Sequence, residues 1–159
     1  RMTTGMIVGF TGSRTGITPK QEEVLRQLLK WINPVEVHHG ECVGADARFH
    51  AIVREVLTEC KIVGHPPIFK MYKADVQCDT EREPKPYLDR DRDVVECSTI
   101  LIGMPKSTMR FDPKEREGAA WATAHRGGTW YTIQYGKKLG KEVVIVFPDG
   151  SVDRTEAKK

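Results

Sequence analysis

The sequence has no long hydrophobic run. Hydrophobic residues make up 39% of its 159 residues, but no apolar stretch approaches the roughly 18–20 residues that span a bilayer. No signal peptide is visible either. We therefore expect a cytoplasmic protein without a membrane partner.

The sequence also lacks a metal-binding cysteine motif. Its four cysteines form no CxxC pair, so we predict no metal site and no bound cofactor, and we expect reduced thiols. Cys42 permits a second interpretation because it lies at the start of a predicted helix. A thiolate could be stabilised there, with His38 or His39 as its base.

A dense basic stripe is absent as well. The net charge is only +3, and the basic residues are interspersed with acidic ones. A surface that binds nucleic acid usually has a more concentrated positive charge, so we do not expect a nucleic-acid partner.

Neither common phosphate-loop motif is present, because both GxxxxGK[ST] and GxGxxG are missing. The chain has instead three glycine-bearing turns, each of which opens a predicted helix. They comprise residues 9–14 (GFTGSR), 39–46 (HGECVGAD) and 126–129 (RGGT). Glycine lets backbone approach a ligand closely, and helix N-termini favour anions. Three such turns predict a pocket for a nucleotide or a phosphorylated sugar.

The rest of the chain alternates between short apolar runs and amphipathic segments. This alternation predicts an α/β fold with an open, mainly parallel five-stranded sheet and helices on both faces. The strands are predicted near residues 6–10, 35–39, 61–64, 99–104 and 142–147, and the main helices near 19–32, 45–57, 87–97 and 129–139. We take residues 2–150 as one domain and 151–159 as a charged C-terminal tail.

Two segments have no clear period. Residues 66–86 contain four prolines and mixed charges, which is typical of an excursion near the rim of a pocket. Residues 105–118 form a second long polar loop, whose role the sequence leaves open.

In an open parallel sheet the strand-to-helix turns gather at one edge, and the ligand crevice opens where the strand order reverses. We therefore predict ligand-binding residues on all three turns. On the first turn, hydroxyl, amide and guanidinium groups can hold phosphate oxygens. On the second turn, Asp46 could cap the helix or contact a sugar hydroxyl. The predicted set is Gly12, Ser13, Arg14, Gly40, Gly44, Asp46, Gly127, Gly128 and Thr129.

Arg90 allows two interpretations. It lies between Asp89 and Asp91, where it could form only surface ion pairs of small energetic value. If its helix begins at the pocket, the guanidinium could instead steer a phosphate or stabilise a leaving group.

Together these residues resemble the SLOG superfamily, which includes Lonely-Guy-type phosphoribohydrolases, DNA-processing protein A and small YspA-like proteins. The resemblance covers residues 7–147 and depends on the three turns and on Arg90. The 44–46 (GAD) turn is its most specific part. It implies a Rossmann-like sheet that binds nucleotides or nucleotide-derived ligands.

The chain departs from the Lonely-Guy pattern, in which an arginine and a glutamate support cleavage of an N-glycosidic bond. Arg90 matches the arginine, but Thr132 stands where the glutamate is expected. Threonine cannot stabilise the positive charge that develops on the sugar as this bond breaks. A replacement carboxylate could come from Glu115, Glu117, Asp112 or Asp46.

The leading hypothesis is therefore a domain that binds a nucleotide or nucleotide-derived ligand. The alternative is a nucleoside-monophosphate N-glycosidase with Arg90 and a relocated carboxylate, Glu117 or Glu115, as catalytic residues. A third hypothesis is a module associated with single-stranded DNA. The base, the phosphate count and the oligomeric state stay open, although a homo-oligomer is compatible with this fold.

Overall fold

The computed structural model describes residues 5–107 and 127–158, which build one seven-stranded sheet. The strands are β1 Ile7–Gly12, β2 Glu36–His39, β3 Lys61–Gly64, β4 Thr80–Glu81, β5 Ile100–Met104, β6 Glu142–Val146 and β7 Val152–Thr155. Their order across the sheet is β4-β3-β2-β1-β5-β6-β7. Every neighbouring pair is parallel except β6 and β7.

Four α-helices are present in the described residues: α1 Pro19–Ile32, α2 Ala45–Val56, α3 Tyr87–Cys97 and α4 Gly128–Lys138. A short 3₁₀ turn, Lys70–Tyr72, follows β3. Helices α1 and α2 pack together against one face of the sheet, and α3 and α4 pack together against the other. The predicted two-sided α/β fold is confirmed.

Helix α1 shows how local sequence sets an element boundary. Thr18 caps the N-terminus by accepting a hydrogen bond from the Gln21 amide, and the Gln21 side chain accepts from the Thr18 amide in return. This reciprocal pair is a capping box, and Pro19 follows it at the first helical position. Asn33 ends the helix with a left-handed backbone, φ 48°.

The core has one apolar cluster on each side of the sheet. The cluster under α1 and α2 includes a stacked pair of rings, Phe10 and Phe49, whose centroids lie 4.3 Å apart. The cluster under α4 includes Trp130, Ile133 and Phe147. Continuous apolar burial of β5 and β6 is typical of parallel strands that are covered on both faces.

The five predicted strands are all present, and two short strands extend the sheet at its edges. β4 lies in the segment predicted as an irregular excursion, and β7 lies within the predicted tail. β7 was missed because its residues are polar and mostly exposed. It pairs with β6 after a turn in which Gly150 has φ +85° and Asp149 accepts hydrogen bonds from Ser151.

The strand order reverses beside β1. The chain runs from β1 outward through β2, β3 and β4, and then returns to the other side of β1 to form β5. In open α/β sheets a crevice forms at the carboxyl ends of the strands at such a switch point. The carboxyl ends of β1 and β5, at Gly12 and Met104, meet there in register.

Within residues 5–107 and 127–158, no helix combines the length and the apolar character that crossing a membrane requires.

Candidate functional site

An open cavity of about 490 Å³ lies at this switch point. We call it the outer cavity. The turn after β1, the residues after β5 and the start of α4 line it together. Its lining comprises Gly12, Ser13, Arg14, Thr15, Val43, Tyr72, Tyr87, Pro105, Lys106, Gly127, Gly128, Thr129 and Trp130. All three predicted glycine turns therefore contribute to this cavity, the second one through Val43.

The second glycine turn supports the first one from behind. A side chain at Gly44 would overlap the backbone carbonyl of Arg14, and Gly44 has φ +87°, a conformation that favours glycine. A Cβ at Gly12 would lie only 2.5 Å from the Cβ of Ala45. The Ala45 amide also donates to the Ser13 carbonyl at 2.9 Å. Gly12 and Gly44 thus allow the two turns to pack backbone against backbone.

Arg14 presents the positive charge of the outer cavity. Its guanidinium carbon lies 4.1 Å from the centre of the Tyr72 ring and 5.8 Å from that of Tyr87. Both distances fall within the range of cation–π attraction. Arg14 is exposed and forms no ion pair with a carboxylate of the described residues. Its charge is therefore held in place by tyrosines and is accessible to an anion.

The third turn begins α4 at the opposite wall. Gly127 has φ +101° at the N-cap, and within the described part of the chain no side chain caps this terminus. The first amides of a helix have no intrahelical partner, so they can donate to a ligand. A Cβ at Gly128 would lie 2.5 Å from the Tyr87 ring, so glycine is needed for close contact with α3.

Trp130 and Tyr131 follow directly on α4. Trp130 is buried in the core against Phe147, with ring centroids 6.5 Å apart, although it also borders the outer cavity. Tyr131 lies on the outer side of the helix, where its hydroxyl accepts a hydrogen bond from Arg92 Nε at 2.6 Å. Of these two aromatic residues, only Trp130 is among those that line the outer cavity.

Beneath the outer cavity lies a buried group of charged and polar side chains, Cys42, Asp46, Arg90 and Asp91. We call it the inner cluster. It lines a space of about 10 Å³, roughly the room that one water molecule needs. Gly12, Arg14 and Tyr87 border both this space and the outer cavity. The inner space and the outer cavity are thus neighbours that share lining residues.

Arg90 organises the inner cluster. It is 3% exposed, so it does not form the surface ion pairs that its flanking aspartates suggested. Its Nε donates to Asp91 Oδ1 at 2.8 Å, and its Nη1 donates to the Gly40 and His65 carbonyls. A Cβ at Gly40 would overlap this guanidinium. Arg90 therefore ties α3 to the second glycine turn and to the end of β3.

The two aspartates of the inner cluster have unusual proton affinities. Burial raises the pKa of Asp46 to about 6 and that of Asp91 to about 7, while the nearby Arg90 charge opposes both shifts. Asp46 Oδ2 accepts a hydrogen bond from the Cys42 amide at 3.1 Å. Asp91 Oδ2 is buried and has no hydrogen-bond partner in the described residues. Asp91 therefore holds a proton more readily than an ordinary aspartate does.

Cys42 does not have the surroundings of an activated nucleophile. Burial and the nearby Asp46 raise the pKa of its thiol, and the contact with Arg90 Nη2 at 3.3 Å only partly opposes that shift. His39 cannot serve as its base in this arrangement, because its ring nitrogens bond to the Glu41 amide and to His50. His38 bonds to Glu36 and His65.

The predicted ligand-binding residues separate into two groups. Gly12, Ser13, Arg14, Gly127, Gly128 and Thr129 line the outer cavity. Gly40 and Asp46 line the inner space, and Gly44 supports the first turn. The predicted catalytic residues are also divided, since Arg90 is in the inner cluster whereas Glu115 and Glu117, together with Asp112, lie outside the described residues. Ligand contact by any of them stays a prediction.

Sequence reasoning missed Tyr72, Tyr87 and Lys106 at the outer cavity and Asp91 in the inner cluster. Tyr72 comes from the 66–86 segment, whose predicted position near a pocket rim agrees with this placement. The sequence shows Asp91 only as a neighbour of Arg90. Asp91 lies close to Thr132, and this contact partly opposes the rise of the Asp91 pKa. The proximity could not be predicted, because the two residues are far apart in the sequence.

Fold and cavity together define a Rossmann-like α/β protein with its crevice at the switch point. Two solved structures are similar in fold. One is the molybdenum cofactor binding protein from the phototrophic bacterium Rippkaea orientalis, with TM-score 0.61 and 18% identity over 89% of this chain and 76% of that one. The other is TM1055, a structural genomics target, with TM-score 0.57 and 16% identity over 87% of this chain and 72% of that one.

No family model and no curated protein matches the chain. At these identities the two structures show the fold alone.

Proposed function

We propose that this protein is a SLOG-type domain that binds a nucleotide or a nucleotide-derived ligand in the outer cavity. The phosphate would contact the Ser13–Thr15 turn and the first amides of α4, with Arg14 as its counter-charge. The observation that carries the proposal is Arg14 itself. It is exposed, it is flanked by Tyr72 and Tyr87, and it has no carboxylate partner in the described residues.

The shape and composition of the outer cavity support a ligand of nucleotide size. Its volume of about 490 Å³ falls within the usual range of small-molecule sites. The hydroxyl-bearing residues Ser13, Thr15 and Thr129 line the cavity, and Lys106 adds a second cation. The structural neighbour from Rippkaea orientalis binds a cofactor, which supports a small-molecule ligand at the level of the fold.

The direct test is ligand-observed NMR with a panel of nucleoside mono-, di- and cyclic phosphates, followed by calorimetry on any nucleotide that binds. Arg14→Gln should weaken binding about 10- to 100-fold, because hydrogen bonds to charged groups contribute about 1.5–3 kcal/mol. Arg48→Gln is the matched control, since Arg48 is exposed on α2 and pairs with Glu22 at 2.7 Å. Equal affinities for the wild type and both variants would contradict the proposed phosphate position.

A second candidate function is hydrolysis of a nucleotide N-glycosidic bond, and Asp91 is the observation that favours it. Asp91 lies beside Thr132, the position at which the resemblance leads us to expect a carboxylate. With its pKa raised to about 7, its carboxyl group exists in both protonation states near neutral pH. In this reaction the oxygen of water bonds to the anomeric carbon, the C–N bond breaks, and a proton goes to the leaving base.

The same NMR panel distinguishes the two functions, because hydrolysis produces free-base signals that grow with time. If they appear, Asp91→Asn should abolish them, whereas Glu117→Gln tests the carboxylate predicted from sequence. If the free-base signals are lost in Glu117→Gln but not in Asp91→Asn, the catalytic role belongs to Glu117, the residue predicted from the sequence. Binding without turnover across the panel would favour the ligand-binding domain.

A further inference from the structure

The geometry points to a metal site, separate from the outer cavity, at which His38, His65 and Cys97 bind a zinc-type divalent ion. The three residues come from β2, from the residue after β3 and from the last turn of α3. Their donor atoms, two imidazole nitrogens and one sulfur, all lie within 4.8 Å of one another. Imidazole and thiolate are the ligands that zinc prefers in proteins.

The burial of the three side chains suits a metal site with access to solvent. His38 and His65 are 0% and 1% exposed. Cys97 is half-buried, so an ion can reach the group from its side. Three protein ligands leave a fourth position for water, as in open zinc sites.

Glu36 fixes the protonation of His38 in the form that a metal needs. A Glu36 carboxylate oxygen lies 2.5 Å from His38 Nε2, and since a carboxylate only accepts, Nε2 carries the proton. In the neutral ring the lone pair is then on Nδ1, which faces His65 Nε2 at 2.7 Å. A carboxylate that orients a ligating histidine in this way is a common second layer around zinc.

A second histidine–cysteine cluster, formed by His39, His50 and Cys78, lacks this property. Its three donor atoms are equally close together. However, the Glu41 amide donates to His39 Nδ1 at 3.0 Å, so the proton of the neutral His39 ring must lie on Nε2. That is the nitrogen which faces His50 and Cys78. A backbone donor therefore blocks metal binding by His39 but leaves His38 free to bind.

Binding requires small movements and a defined transfer of protons. Zinc–nitrogen distances of about 2.0–2.1 Å in a tetrahedral site place two nitrogens about 3.3 Å apart, so the His38–His65 contact must widen by about 0.6 Å. The proton on His65 Nε2 moves to its Nδ1, to which no amide of the described residues donates. The Cys97 thiol releases one proton to solvent, and the sulfur and both nitrogens donate electron pairs to the ion.

This site has no recognisable sequence motif because its ligands are far apart in the chain. Common zinc motifs place cysteines and histidines in closely spaced pairs. Here the ligands come from β2, from the residue after β3 and from α3. Parallel pairing of β2 with β3 brings His38 and His65 together. A bound ion would fasten the end of α3 to these two strands.

Cobalt titration of the chelator-treated, reduced full chain tests the proposal, because a thiolate bonded to Co²⁺ gives a charge-transfer band in the near ultraviolet. We expect the band to saturate at one equivalent and to disappear when Zn²⁺ is added. Cys97→Ser should remove the band, whereas Cys78→Ser, the matched change in the second cluster, should retain it. Circular dichroism establishes that both variants are folded.

A second variant keeps all three ligands. Glu36→Gln should weaken cobalt binding about 10- to 100-fold, the usual effect of losing a partner of a ligating histidine. Absence of the band in the wild type would overturn the proposal. Retention of the band in Cys97→Ser would also overturn it, as would its loss in Cys78→Ser, which would place the metal in the second cluster.

Discussion

The outer cavity and the inner cluster are neighbours, but their charges are arranged in opposite ways. In the outer cavity the Arg14 guanidinium is exposed between two tyrosines, and no carboxylate of the described residues pairs with it. In the inner cluster Arg90 is buried and donates hydrogen bonds to Asp91, to the Gly40 and His65 carbonyls and to Cys42. The outer charge can thus respond to a ligand, whereas the inner charge holds the turns that shape the cavity.

This difference predicts that substitutions in the inner cluster reduce stability while those in the outer cavity reduce affinity. The largest effect is expected for Arg90→Gln, which leaves the buried Asp46 and Asp91 without their cation. Removing one partner of a buried ion pair costs about 3–5 kcal/mol. Chemical denaturation measures the loss. Arg92→Gln on the same helix is the control and should cost at most about 1 kcal/mol, because Arg92 is exposed.

The next largest effect is expected at Gly44, and Gly127 provides the comparison because both glycines have positive φ. Gly44→Ala introduces a clash with the Arg14 carbonyl, whereas Gly127→Ala projects into open space among the described residues. This sparsely populated backbone conformation alone costs alanine about 1–3 kcal/mol. The loss of stability measured by thermal unfolding should exceed this value for Gly44→Ala but not for Gly127→Ala. Equal losses would show that the packing of the two turns contributes nothing.

The pH dependence of stability gives a third comparison. The raised pKa of Asp91, about 7, means that the folded chain retains a proton which the unfolded chain releases near pH 4. Unfolding between these values releases a proton, so the Asp91 contribution to stability falls as pH rises. Relative to wild type, Asp91→Asn should gain about 2 kcal/mol in free energy of unfolding between pH 4 and pH 6.

Arg14→Gln, measured over the same pH range, should show no such change relative to wild type. A parallel pH profile for Asp91→Asn and wild type would contradict the assignment of a buried, protonated aspartate to the inner cluster.

The smallest expected effect concerns the tyrosine that flanks Arg14. Tyr72→Leu removes an exposed cation–π contact worth about 0.5–1 kcal/mol, which corresponds to a two- to fivefold loss of nucleotide affinity. Calorimetry on a nucleotide that binds the wild type measures it, with Tyr135→Leu on the outer side of α4 as control. An affinity equal to that of the wild type would mean that Tyr72 does not orient Arg14.

Much of the fold could be predicted because its signals are local. The five long strands and four helices follow from hydrophobic period, and the Thr18–Gln21 capping box marks the start of α1. The glycine turns could be recognised because positive φ and close approach leave few other residues suitable. The outer cavity then follows from the general position of crevices in parallel sheets.

The inner cluster could not be predicted because its contacts are distant in sequence. The hydrogen bond between Arg90 and the Gly40 carbonyl joins residues 50 apart, and nothing in the charged 89–93 segment indicates which side chain points inward. Tyr72 comes from an aperiodic segment, so its place beside Arg14 depends on tertiary packing. Glu115 and Glu117, predicted as catalytic, lie outside the described residues and remain predictions.

The position of β1 between β2 and β5 also has a consequence for how the protein folds. The Ile7 amide bonds to Thr99 Oγ1, a contact across 92 residues, and β5 continues this pairing as far as Met104. Contacts of such long range form slowly, since a large loop must close before they contribute. The two walls of the outer cavity meet only after β1 and β5 have paired. A nascent chain therefore forms this cavity late, after β5 and the start of α4 have both been synthesised.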